Sequence, residues 1–91
     1  MEYDDLTKQI LFSLHRKGYY ASKHTPVDNV CKRLPKYSCK HIKNKIKNLI
    51  KEGLLSPYPT NHGLDVRINI NRSSEVKKII KPLEDEMDYF L

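Results

Sequence analysis

Little in this chain could staple it from outside. Of its 91 residues only two are cysteines, Cys31 and Cys39, too few for the disulfide framework of a small secreted domain. No apolar run approaches the roughly 20 residues that a membrane-spanning helix needs. Residues 1–5 are polar and acidic, unlike the basic and apolar regions of a signal peptide. These absences lead to the expectation of a reduced, cytoplasmic protein without membrane association. Catalytic patterns are equally scarce: no glycine-rich phosphate loop, no glycine elbow around a serine and no paired carboxylates in an apolar setting. The chain is therefore expected to be no enzyme and to use no cofactor. Its length leaves room for one thin core, since a chain this short buries only about 60–65% of its unfolded surface.

What the sequence does have is positive charge, unevenly placed. Lys and Arg number 17 against 11 for Asp and Glu, a net charge of +6. Residues 14–53 hold eleven basic residues against Asp28 and Glu52, whereas the tail from Leu83 holds Glu84, Asp85, Glu86 and Asp88. Attraction for phosphate depends on local charge density, so the middle of the chain is where a polyanion would bind.

Apolar periodicity divides the chain into elements. Leu6, Ile10, Leu11 and Leu14 share one face of a helix, predicted over about 4–17 and ended by Gly18. Residues 19–24 read as a loop. Thr25-Pro26-Val27-Asp28 is a start signal, with Thr25 as N-cap, for a short helix over 26–33 that Pro35 ends. A third helix spans 39–52, with Ser38 as N-cap and Gly53 just past its end. Its Ile42, Ile46, Leu49 and Ile50 fall within an arc of about 100°, with Lys40, Lys43, Asn44, Lys47 and Lys51 opposite. Residues 54–57 form a short strand that Pro57 should end, and 56–63 form a loop or hairpin tip. Leu64, Val66, Ile68 and Ile70 alternate with polar residues as a half-buried strand. Ser73 or Ser74 caps a last helix, where Pro82 interrupts the pattern or starts a new turn.

Helix, short helix, basic amphipathic helix, β-hairpin, helix: over about residues 4–71 this order resembles the winged helix-turn-helix domain. In outline it is similar to the small single-domain winged-helix proteins of archaea and their viruses. The resemblance implies a mostly helical α+β fold, a three-helix core plus a hairpin wing. Residues 1–72 would form that domain, and 73–91 a C-terminal helix. It further implies that helix 39–52 lies in the major groove of double-stranded DNA and that the chain is a small transcriptional regulator. Family hairpins usually carry Arg or Lys at the tip; this one carries Tyr58, Thr60, Asn61 and His62.

The residues expected at DNA follow from that placement. Tyr37, Ser38, Lys40, His41 and Asn44 start helix three, where base readers belong. Asn44 suits adenine, and Lys40 or Lys43 suits guanine. Lys47 and Lys51 suit phosphate, as do Thr60 and Asn61 at the hairpin tip and Arg67 beyond it. The alternative is a solvated lysine face. Such a face normally mixes signs, but no acid lies between Lys36 and Lys51, and Lys43, Lys47 and Lys51 repel at i, i+4 spacing. Arg16, Lys17, Tyr19, Tyr20, Lys23 and His24 are read either as a backbone clamp or as one core tyrosine among solvated neighbours. The other function class is a protein- or RNA-interaction module of a transcription, replication or ribosome assembly.

Two further constellations have competing readings. His24, Cys31, Cys39 and His41 match no zinc-ligand spacing, and no metal site is expected. Cys31 lies on an apolar stripe, where a thiol acts as a small hydrophobe; a Cys31–Cys39 disulfide or an intersubunit crosslink is the alternative. Ile79, Ile80, Leu83, Met87, Phe90 and Leu91 offer an apolar stripe beyond what a small core needs. The expectation is a homodimer through the first helix, Leu6 to Leu14, and the C-terminal helix. The alternative is that this stripe packs back on its own core.

Overall fold

Asp4 starts the fold by accepting a hydrogen bond from the Thr7 amide at 2.9 Å, capping the first helix, α1 (Asp5–Arg16). A computed structural model describes residues 3–90, with side chains as far as Glu86. Asp5 in the first turn and His15 and Arg16 in the last oppose the helix dipole. Gly18 then takes φ +70°, a left-handed conformation that ends the helix.

The segment expected to be only a loop ends in a strand, β1 (Thr25–Pro26), antiparallel to the later strand β3. Thr25 is 1% exposed and pairs with Val66 in the sheet, so its side chain does not cap a helix as expected. Pro26 is the N-cap residue of α2 (Val27–Arg33), with no side-chain cap bond. Sheet pairing has taken the residue that local sequence offered to the helix.

After α2 the chain turns through Pro35 into α3 (Cys39–Lys51), capped by Ser38, whose hydroxyl accepts from the His41 amide at 3.2 Å. The turn brings Cys31 and Cys39 to a Cα separation of 5.1 Å, and they form a disulfide. This corrects the expectation of reduced cysteines: Cys31 is only partly buried, and its sulfur bonds the first residue of α3. Gly53, at φ +85°, ends α3, and a Cβ there would stand 3.1 Å from Arg72 Nη1.

The hairpin is longer than expected. Strand β2 (Leu55–Thr60) pairs antiparallel with β3 (Gly63–Ile68), and only Asn61 and His62 join them. Pro57 does not end the ladder, because the strand order is β1-β3-β2 and β2 is an edge. Pro57 and Pro59 are two residues apart and pair with Val66 and Leu64, so both nitrogens point to the open side. Val66 and Ile68 enter the core as expected, but Leu64 at the tip is exposed. Ile70, expected on the strand, is 53% exposed and begins a 3₁₀ turn (Ile70–Arg72) that leads to α4 (Ser73–Phe90). Arg72 clamps this corner: its guanidinium meets both Glu75 carboxylate oxygens at 2.6 and 2.8 Å, and its Nη1 donates to the Glu52 carbonyl at 3.2 Å.

Helix α4 runs straight through Pro82 instead of breaking there. Pro82 and Lys78 are both exposed, so the carbonyl that loses its partner faces water. Val76 and Ile80 are fully buried in the same core as α1, α3 and the hairpin. The start of the C-terminal helix therefore belongs to the domain mapped to 1–72. Leu6, Ile10, Leu11 and Leu14 are likewise buried inside the protomer, which removes them from the expected dimer surface. Met87, Phe90 and Leu91, the rest of that stripe, lie outside the described side chains. The chain is thus α+β, with four helices and a three-stranded antiparallel sheet.

The disulfide closes a short loop, its cysteines eight residues apart, and a loop of that size should stabilise the fold by about 2–3 kcal/mol through the unfolded chain. Denatured, unreduced protein should take up no maleimide, and reduced protein two. The double variant Cys31→Ser, Cys39→Ser should unfold at lower urea by that amount; an unchanged midpoint would remove the crosslink from the stability of the fold.

Candidate nucleic-acid interface

The rotation of α3 is set by Ile42, Ile46 and Leu49, which are 0–2% exposed and packed into the core. Every residue on the other side of the helix then faces outward: Lys40, His41, Lys43, Asn44, Lys47 and Lys51 are all exposed. The six α3 residues expected at DNA therefore form one surface. Lys32 and Lys36, from α2 and the following turn, are exposed as well.

The lysines are not equivalent. Lys45 lies beside the buried stripe and is only 23% exposed; its Nζ meets Asp4 Oδ2 at 2.6 Å. That contact, followed by the Thr7 bond, holds the Asp4 carboxyl well down from its ordinary value, at about 2. Asp4 thus caps α1 and anchors α3 at once. Lys43 Nζ lies 3.2 Å from Asp28 Oδ1, both side chains at least half exposed, an arrangement worth little in water. Among the described residues, no carboxylate comes within 4 Å of Lys32, Lys36, Lys40, Lys47 or Lys51.

Between α3 and the hairpin tip runs a groove of about 370 Å³, lined by Lys43, Lys47, His62 and Leu64, with Asp28 at its α2 side. His62 is a groove residue that sequence reading placed only at the tip. Lys45 is the converse, a residue of the basic run that the fold turns away. A helical wheel carries the signal for it, since Lys45 falls about 40° from Leu49, on the edge of the apolar arc.

Four expected contact residues are engaged within the protein. Tyr37 is half-buried; its hydroxyl donates to the Asp5 carboxylate, and its ring meets the edge of His41 at 6.4 Å. That acceptor carboxylate is also the main reason the Tyr37 phenol sits above its ordinary pKa. The Ser38 hydroxyl caps α3. Thr60 Oγ1 donates to the Gly63 carbonyl at 2.9 Å and accepts from the His62 amide at 3.2 Å, which shapes the hairpin turn. Arg67 donates to the Ala21 carbonyl and lies 5.3 Å over the Tyr58 ring. Asn61 stays exposed at the tip.

A cluster with no signal in the sequence fastens the hairpin to the segment before β1. His24 Nδ1 meets Asp65 Oδ2 at 2.7 Å, and the His24 ring stacks on Tyr58 at 3.8 Å. Of the residues read as a possible clamp, Tyr19 and Tyr20 both pack against the core, with Tyr20 Oη 2.7 Å from His15 Nδ1. The chain matches no family model, and it has no significant similarity to a curated protein or a solved structure.

Because Asp4 is held near 2 when folded, it binds its proton less readily than in the unfolded chain, where the ordinary value is 3.8. Its stabilising effect is complete above about pH 4 and is lost as pH falls towards 2. Asp4→Asn should lower the melting temperature at pH 7 and flatten its decline between pH 4 and 2. An acid limb of unchanged steepness in the variant would rule out the Asp4–Lys45 contact as its source.

Proposed function

We propose that the chain binds double-stranded DNA without catalysis, as a small winged helix-turn-helix transcriptional regulator, with α3 in the major groove. The observation that carries this reading is the one-signed outer face of α3 and the preceding turn. Lys36, Lys40, Lys47 and Lys51 stand exposed with no acid at hand, although a helix gains from alternating signs. A phosphate backbone removes that repulsion, and the release of its condensed counterions drives association. Helix α2, its turn and α3, followed by the hairpin and with β1 added to β3, fit the winged-helix arrangement.

Within this reading the contacts divide by position on α3. Lys40, His41 and Asn44 stand near the N-terminus, where base edges are read; Lys47 and Lys51 sit further along, at phosphates. Lys43 and His62 face each other across the groove towards the hairpin. Tyr37, Ser38, Thr60 and Arg67 act as supports that hold α3 and the hairpin, because their polar atoms already have partners. A dimer through α1 is not carried forward, since the side chains it needs are in the core. The second reading, an RNA- or protein-interaction module, draws support from the hairpin tip, which has no Lys or Arg between Lys51 and Arg67.

Titration of a random-sequence duplex at several salt concentrations separates the two. DNA binding requires micromolar affinity at low salt and a fall of about 0.9 log unit per contacted phosphate per decade of salt. Lys40→Ala with Lys47→Ala should weaken binding and reduce that slope, by about 2 where both lysines meet phosphate. Lys45→Ala should cost stability and leave the slope alone. No duplex binding at low salt would reject the proposal. Asp28→Asn frees Lys43 and removes a negative charge from the groove, so affinity should rise a few-fold; a loss would place Asp28 outside the interface.

A further inference from the structure

We propose that the cavity between the C-terminal ends of α1 and α2 binds a small organic dianion, a phosphate monoester or dicarboxylate attached to an apolar body. The cavity measures about 500 Å³, within the roughly 300–1,000 Å³ of small-molecule sites. Arg16 and Lys17 from α1 and Arg33 from α2 line it, and no carboxylate does. Ser13 and Gln9 add a hydroxyl and an amide, and Phe12 and Leu34 supply an apolar wall.

Basic residues at helix C-termini have an ordinary explanation, the helix dipole. It accounts for Arg16 and Lys17 but not for the setting of Arg33. Each dipole contributes about half a negative charge, against three full positive charges here. Arg33 Nη2 donates to Tyr19 Oη at 3.2 Å, and the guanidinium lies 5.4 Å over the Tyr19 ring, so this cation is held in place. Its Nη1 is buried without a hydrogen-bond partner among the described residues. A buried cationic donor with no acceptor is costly, and arginine's fork is suited to a bidentate oxyanion. A small turn of the guanidinium would give Nη1 an acceptor in the cavity. The field is felt next door: the Arg33 bond, then a bond to Thr25, holds the Tyr19 phenol below its ordinary pKa. Arg16 lies 5.7 Å over the Phe12 ring, so charge and apolar wall meet at one edge. That juxtaposition fits a ligand with an anionic head and a flat body better than a bare ion.

The test is an NMR titration of the full chain at low ionic strength with adenosine monophosphate, phthalate and inorganic phosphate. Adenosine monophosphate, phthalate or both should shift the Ser13 and Arg33 amides with Kd of about 1 mM or tighter, and inorganic phosphate should bind about tenfold more weakly. Whichever head group binds names the ligand class. Arg33→Gln should weaken binding about tenfold. Because Arg33 also holds Tyr19, the pair Arg16→Gln, Lys17→Gln, both exposed, serves as the second variant and should weaken binding similarly. Lys47→Ala, on the α3 face, should leave it unchanged. No shifts at about 10 mM ligand, shifts centred on Lys47, or equal affinity for bare phosphate would overturn the proposal. So would a duplex that shifts Ser13 and Arg33 when the small anions do not, which would make the cavity part of a nucleic-acid footprint.

Discussion

The burial of Ile42, Ile46 and Leu49 against α1 and the sheet settles how α3 is rotated, and most other features follow from that rotation. A turn of the helix by one residue, about 100°, would carry a lysine into the core and an isoleucine into water. An unpaired buried ammonium is among the costlier groups a small core can hold. The one lysine that rotation brings close to the core, Lys45, therefore has a carboxylate waiting. Asp4, already the cap of α1, is that partner. One contact stripe thus dictates which lysines are structural and which are left outside.

The junction between α2 and α3 is fastened from two sides. The Cys31–Cys39 disulfide joins the helices, and Tyr37 reaches back to Asp5 at the start of α1. The hairpin is fastened separately, by the His24–Asp65 pair and the stack on Tyr58. A binding surface built from α3 and the hairpin is accordingly pre-organised, and less ordering is needed when a partner arrives.

Much of this was legible in the sequence. The 3.6-residue period marked all three helices before the hairpin, and Ser38, Gly18 and Gly53 marked their ends. The exposed lysines of α3 could be read off the same wheel. What could not be read were contacts between distant segments. Thr25 has the chemistry of a helix cap, and only its pairing with Val66 makes it a strand residue. Pro57 ends a central strand but not an edge, and strand order is not written locally. Tyr37, Ser38, Thr60 and Arg67 have side chains suited to nucleic acid, yet each finds an internal partner that spacing along the chain does not reveal. The disulfide was visible only as one of several pairings, because the turn at Pro35 decides how close the two cysteines come.

The two prolines of β2 have a consequence beyond the length of the hairpin. An exposed strand edge is a template on which another chain can add a strand. On β2 the outward positions at 57 and 59 have no amide hydrogen to offer, and the opposite edge, β1, is two residues long and ends in Pro26. The sheet is therefore closed to extension at both sides. Tyr58 and Leu64 stand exposed near the tip, apolar enough to invite association, yet an incoming strand would find no ladder to join. A partner must engage this hairpin through side chains, and crowded copies of the chain lack the route into shared sheet that a bare edge would open.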